Sequence, residues 1–315
     1  DMKNFVITGC AGFIGSHVAD VFHKNGHNIL GIDKLTYAGK NLSSYPTGQK
    51  FSNVDICEEK LIRNLCRHNK IDCIINFAAE THVDNSIKGH DSFISSNVQG
   101  VKSLLEVCKT LDIPLVQIST DEVYGPAYEK SFDENSRLNP QNYYSATKAA
   151  AEFLVSAYHN TFDVQYLIVR MSNNYGPRQH KEKFLPTILR NLSEGLRIPL
   201  YGKGDNIRDW IYVEDSARII YNLVMEGSLN EVYNISLKDE KTNTEVINII
   251  LDTLDMDWDE NVEHVEDRLG HDFRYSITND KIQKFVNFKP TTFAQGVNKT
   301  IASLNLNLKK EKSNG

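Results

Sequence analysis

Phe5-Val6-Ile7-Thr8-Gly9-Cys10-Ala11-Gly12-Phe13-Ile14-Gly15 runs from a β-branched apolar stretch, through three glycines, into a helical pattern from Ser16 to Lys24 that stops at Asn25-Gly26. Glycines let a backbone approach a pyrophosphate closely, and a helix N-terminus supplies free N–H groups and partial positive charge. The spacing here is G-x-x-G-x-x-G rather than G-x-G-x-x-G, so its meaning comes from the strand before it and the helix after it. Together they predict a dinucleotide site.

The next apolar run, Asn28-Ile29-Leu30-Gly31-Ile32, ends at Asp33. A carboxylate there accepts hydrogen bonds from a ribose diol and repels a ribose phosphate, which favours NAD over NADP. Phe51 to Val54 reads as a third strand ending at Asp55, Glu58 to Asn69 as a helix, and Cys73 to Phe77 as a fourth strand. Such β-α-β alternation predicts an α/β fold with a Rossmann-type doubly wound parallel sheet. The expected cofactor residues are Gly9, Gly12, Phe13, Ile14 and Gly15, then Asp33, Lys34 and Thr36, Asp55 and Ile56, and Ala78 and Ala79, whose small side chains let a cofactor lie on the backbone.

With 315 residues, 40% hydrophobic and 24% charged, the composition is that of a globular protein. A net charge of -6 argues against a nucleic-acid partner. No apolar run reaches the roughly 18 residues of a membrane span. Five scattered cysteines, all within the first 108 residues, predict no disulfide framework and a soluble protein of a reducing, cytoplasmic compartment. Neither C-x-x-C nor H-E-x-x-H spacing occurs, so no metal is expected.

Two further stretches carry chemistry. Pro114 to Ile118 reads as a buried strand, and Ser119-Thr120-Asp121-Glu122-Val123-Tyr124-Gly125 follows at its carboxyl end, where ligands of open parallel sheets sit. Ser119-x-x-Glu122 also fits a capping box, but Val-Tyr-Gly-Pro cannot continue a helix. For Asp121 and Glu122 to reach one substrate the backbone must turn there. Paired carboxyls suit acid–base work, because one charge raises its neighbour's pKa. Downstream, long helices are expected over 91–111 and 142–162. Tyr144 and Lys148 lie one turn apart on the second, where an ammonium is expected to lower the phenol's pKa and make it a base. That helix carries two apolar stripes. One carries Ala146, Ala149, Ala150, Phe153, Leu154 and Ala157 and is assigned to the sheet; the other, with Ala151, Val155, Tyr158 and Phe162, is expected to meet a second subunit in a homodimer built on this helix and the one containing Val98 to Leu111.

At these residues the chain resembles the extended short-chain dehydrogenase/reductase superfamily, and Thr120-Asp121-Glu122 narrows the likeness to the nucleotide-sugar 4,6-dehydratases, dTDP-glucose 4,6-dehydratase included. The likeness spans nearly the whole chain. It includes Asp33 to Gly39, Ser172 to Pro177, Tyr201 to Asp205, Arg208-Asp209-Trp210, Asp267-Arg268 and Gly270-His271-Asp272; it departs from the pattern at Leu269, Phe273 and Ser303-Leu304. The resemblance implies permanently held NAD, a nucleoside-diphosphate sugar substrate (dTDP- or UDP-glucose) and a place in deoxysugar, for instance rhamnose, biosynthesis. It also implies catalytic roles for Thr120, Asp121, Glu122, Tyr144 and Lys148, with Asp121 as acid and Glu122 as base, and substrate contacts from Thr81, Asn173, Lys183, Arg208, Asn243, Arg268 and His271. Residues 1–171 are expected to form the NAD-binding domain, with a return near 205–226, and 172–315 mainly the nucleotide-sugar-binding domain. Basic residues at Arg178, His180, Lys181 and Lys183 suit a diphosphate. A 4-epimerase or decarboxylase of the same superfamily shares the glycine loop and the Tyr–Lys couple. A non-catalytic NAD or sugar-nucleotide sensor is the remaining alternative.

Overall fold

In the computed structural model, which describes residues 1–36, 41–79, 91–268, 272–306 and 308, the first apolar run forms strand β1 (Asn4–Thr8). It is followed by β2 (Asn28–Asp33), β3 (Lys50–Asn53), β4 (Cys73–Asn76), β5 (Leu115–Thr120) and β6 (Tyr166–Met171). Beyond these lie β7 (Asn173–Tyr175), β8 (Ile198–Tyr201), β9 (Ile207–Tyr212), β10 (Glu231–Ile235), β11 (Glu240–Thr242) and β12 (Val262–Val265). Seven strands form one sheet in the order β10-β6-β5-β4-β1-β2-β3, with every pair parallel. The chain winds outward from β1 to β3, then restarts at β4 on the other side of β1. That reversal is the topological switch point, where a crevice opens at the strands' carboxyl ends.

Both faces of the sheet are covered, so its strands are apolar throughout rather than alternating. Phe5 and Ile7 of β1 pack with Val18, Phe22, Ile219 and Leu223 from helices Phe13–Lys24 and Val213–Glu226. Val6, between them, points the other way into a core with Ile74, Leu104, Val107 and Val155, under helices Glu59–His68, Gly100–Leu111 and Tyr143–Phe162. A third core, including Tyr175, Leu185, Trp210, Ile247 and Val297, belongs to the small β11-β9-β7 and β12-β8 sheets and their helices. The chain nevertheless returns to the large sheet, because β10 pairs with β6.

Two expectations are corrected. The helix over 91–111 is not uniform: a π-helical turn, Ser95–Gln99, separates Asp91–Ile94 from Gly100–Leu111. In that turn Asn97 is buried and its Nδ2 donates to Thr147 Oγ1 at 3.1 Å. Gly100 follows because a side chain there would collide with Ile56, its Cβ falling 2.3 Å from Ile56 Cδ1. The two stripes of Tyr143–Phe162 are also reassigned. Ala151 and Val155 are buried within the subunit, so Val155 does not face a partner. The other stripe is exposed at Ala146, Phe153 and Ala157, Phe153 by 64%, although its Ala149 is buried and its Leu154 packs against the core.

All five cysteines are free. Among the described residues no helix is long and apolar enough to cross a membrane. The tail over 309–315 lies outside the described residues.

Candidate active site

A cavity of about 640 Å³ opens at the carboxyl ends of β1, β4, β5 and β6. One end is lined by Gly9, Gly12, Phe13, Ile14, Gly15 and Ala79. Gly9 has φ +65, and a Cβ there would fall 2.8 Å from the Phe77–Ala78 peptide; at Gly15 it would fall 2.3 Å from the Gly9 carbonyl oxygen. Only glycine permits this close packing of strand, turn and helix. Helix Phe13–Lys24 starts at Gly12 with no side-chain cap and no acidic residue in its first turn. Its first N–H groups and dipole are therefore suited to a pyrophosphate, and the residues present fit NAD.

The other expected cofactor residues surround this cradle rather than line it. Asp33 accepts hydrogen bonds from Ala11 N at 3.0 Å and Leu35 N at 2.8 Å, and burial pushes its carboxyl above the usual range. Lys34 Nζ donates to Ser96 Oγ at 3.1 Å. Asp55 accepts from Cys57 N at 2.9 Å, Ile56 is buried, and Thr36 closes the described part of its loop. Ala78 N is fixed by Thr8 Oγ1 and Asn76 Oδ1, both at 3.2 Å.

At the cavity's other end β5 finishes at Thr120 and the chain enters a single 3-10 turn, Asp121–Tyr124. Thr120 caps it, accepting from Glu122 N at 3.2 Å, so the backbone does turn where both carboxyls require it. Gly125, at φ +79, takes the chain out of the turn. Asp121 is buried and its carboxyl is held well above the ordinary range, first by burial, then by the charges of Glu122 and Asp209; Arg208 and the Thr120 hydroxyl oppose this. Glu122 is half-buried and accepts from Asn142 Nδ2 at 3.3 Å. Asn142 is in turn the N-cap of Tyr143–Phe162, held in a capping box with Ser145.

Tyr144 and Lys148 line the same cavity. Lys148 Nζ donates to the Ile118 carbonyl at 2.7 Å, and burial lowers its pKa to about 8 against the opposing charge of Glu152. The expected lowering of the Tyr144 pKa is not found. Burial raises it, and the Glu122 and Asp121 charges raise it further, while the Lys148 ammonium donates to a backbone carbonyl.

Of the expected substrate residues, Asn173, Lys183 and Arg208 line the cavity. Arg208 Nη1 donates to the carbonyls of Ile207 and Asp272 at 2.8 and 3.1 Å, and its guanidinium lies 4.9 Å from the Tyr275 ring centroid. Asn243 starts helix Asn243–Leu254, and Arg268 lies 3.9 Å above the Tyr201 ring; neither lines the cavity. Thr81 and His271 lie outside the described residues. Tyr275, Asn142 and Asn41 are site residues that no motif marks as functional. Tyr275 and Asn41 line the cavity, and only Asn142, as a cap before an apolar helix, left a readable signal.

A glycine-cradled helix terminus at a switch point, facing a Tyr144–Lys148 couple, defines a dinucleotide-dependent enzyme of the short-chain dehydrogenase/reductase type. A family model described as NAD dependent epimerase/dehydratase matches residues 5–236. The chain is 44% identical to the low-salt glycan biosynthesis protein Agl12 of Haloferax volcanii, covering 86% of this chain and 89% of that one. It is 40% identical to a dTDP-glucose 4,6-dehydratase of Salmonella typhimurium, covering 94% and 91%. The solved dTDP-glucose 4,6-dehydratase of Streptomyces venezuelae, with NAD bound, superimposes with a TM-score of 0.88 at 38% identity over 96% of each chain. The protein belongs to the NAD dependent epimerase/dehydratase family.

Proposed function

We propose that this chain is an NAD-dependent nucleotide-sugar 4,6-dehydratase that converts a nucleoside-diphosphate glucose, dTDP-glucose first, to the 4-keto-6-deoxy sugar. The observation that carries this reading is the Asp121–Glu122 pair in the same cavity as Tyr144 and Lys148. Epimerisation at carbon 4 needs no acid–base pair for carbons 5 and 6. Held at the glycine turn of Gly9, Gly12 and Gly15, NAD would supply a reversible hydride acceptor beside carbons 4 and 6 of the sugar. Tyr144 removes the carbon-4 hydroxyl proton, with Thr120 hydrogen-bonded nearby and Lys148 as the adjacent cation. The resulting ketone acidifies carbon 5. Glu122, as the carboxylate, takes that proton, and Asp121, held protonated by burial and by its neighbour's charge, protonates the departing carbon-6 hydroxyl. Lys183 and Arg208 supply positive charge for a diphosphate. Purified protein given dTDP-glucose is expected to form a product that gains ultraviolet absorbance in alkali; a product with none, isomeric with the substrate, would sink the reading.

The same proposal includes two units: 1–171, with a return near 205–226, for NAD, and 172–315 mainly for the nucleotide sugar. The five free cysteines favour a reducing, cytoplasmic setting. We also infer a homodimer through the exposed stripe of Tyr143–Phe162, related by a two-fold axis. Phe153→Asp places a charge at the centre of that face without touching the subunit core, since Phe153 is exposed in the single chain. Sedimentation should show a dimer for the unmodified protein and a folded monomer for the variant, with roughly 1.5–3 kcal/mol lost per buried Phe. A monomer in both cases would rule out the interface.

A further inference from the structure

Behind the cavity lies a buried ion pair that the reaction as written does not use. Glu152, one turn beyond Lys148 on the same helix, accepts from Arg170 Nη2 at 2.6 Å and Nε at 3.0 Å, and from Ser119 Oγ at 2.6 Å. The side chains of Arg170 and Glu152 are only 7% and 3% exposed. Ser119 and Arg170 are register partners in β5 and β6, so the pair straddles the strand that ends in Thr120. Arg170 Nη1 donates to the Tyr124 hydroxyl at 2.8 Å, and the guanidinium lies 4.8 Å from that ring's centroid. Tyr124 ends the turn that carries Asp121 and Glu122, and its hydroxyl donates to Asn234 Oδ1 of β10 at 2.6 Å.

Burying two charges costs several kcal/mol each before their attraction is counted, and apolar replacements are often as stable. Stability alone is thus a poor reason for the pair. Its contacts give a better one, because they reach the Lys148 helix, the strand ending in Thr120 and the Asp121–Tyr124 turn.

We propose that Glu152 is a positioning residue: paired with Arg170, it fixes these three segments against one another and holds the Lys148 side chain as an ammonium. The second part rests on placement: Lys148 and Glu152 are both buried, four residues apart on one face of the helix, so the carboxylate's charge opposes the lowering that burial imposes on the ammonium. The proposal deepens the dehydratase reading, and its first test does not depend on it.

Trace acetic anhydride acetylates only the free amine, so competitive labelling across pH, read on the Lys148 peptide by mass spectrometry, gives that residue's own midpoint in the NAD-loaded protein. In Glu152→Gln the midpoint is expected to fall by roughly one unit, a tenfold change in the ammonium-to-amine ratio. The paired change Glu152→Gln with Arg170→Met, which leaves no unpaired buried charge, serves if the single variant does not fold and should move the midpoint the same way. An unmoved midpoint in the folded variant overturns the proposal. A second readout is the pH profile of NAD reduction on mixing with dTDP-glucose, whose alkaline limb should shift with the labelling midpoint. A labelling shift with an unmoved limb refutes a role in the reaction. Failure of the unmodified protein to reduce NAD would instead defeat the dehydratase reading, while the labelling result would still decide the role of Glu152 toward Lys148.

Discussion

Glu122→Gln protein mixed with dTDP-glucose should reduce its bound NAD, seen as absorbance near ~340 nm, and then stall. The substitution keeps the size and the Asn142 contact of Glu122 but removes the carboxylate that takes the carbon-5 proton. Dehydration should fall by about 10² to 10⁴, the usual worth of a general base. Oxidation at carbon 4 relies on Tyr144 and should survive. The variant also tests the coupling of the two carboxyls. Asp121 is raised partly by the Glu122 charge, so removing that charge lowers the Asp121 pKa. An acid works only while protonated, and its activity is lost as pH rises through its pKa. The alkaline limb of the residual dehydration should therefore move to lower pH. Full-rate dehydration by Glu122→Gln would remove Asp121–Glu122 from the chemistry.

Tyr144→Phe should fail one step earlier. Without the phenol nothing takes the carbon-4 hydroxyl proton, so NAD reduction itself should drop by about 10² to 10⁴. Substrate binding should persist, because Asn173, Lys183 and Arg208 are untouched. The phenol is raised by burial and by two carboxyls, so the rate of NAD reduction in the unmodified protein should keep climbing as the phenol ionises, until Lys148 loses its proton. Stopped-flow absorbance across pH reads both effects. A Tyr144→Phe protein that reduces NAD at the unmodified rate would show that another group is the base.

The doubly wound sheet was legible because the first, third and fourth strands each run into a helix-period stretch and the second ends at a lone carboxylate. The Asp121–Glu122 turn was legible for a similar local reason: Val-Tyr-Gly-Pro leaves the chain no helix to continue. Long-range features were not readable. The Tyr144 pKa is set first by burial and then by the Glu122 and Asp121 charges, both products of tertiary packing, and Lys148 is drawn to a carbonyl thirty residues earlier in the sequence, on β5. Helical periodicity revealed two apolar stripes but not which one the helix Gly100–Leu111 and the sheet would cover; the structure buries Val155 and leaves Phe153 outside. Tyr275 reaches the cavity through a bridge between Arg274 and Ile207, a contact with no periodic signature.

The central claim is an internal transfer of hydride from carbon 4 to carbon 6 with loss of water between. Substrate carrying deuterium at carbon 4, turned over in ordinary water and followed by nuclear magnetic resonance and mass spectrometry, tests it directly. The label should appear on the carbon-6 methyl group of a product that has lost one water, with a solvent proton at carbon 5. Deuterium retained at carbon 4 of an inverted, undehydrated sugar, or lost to solvent, would contradict it.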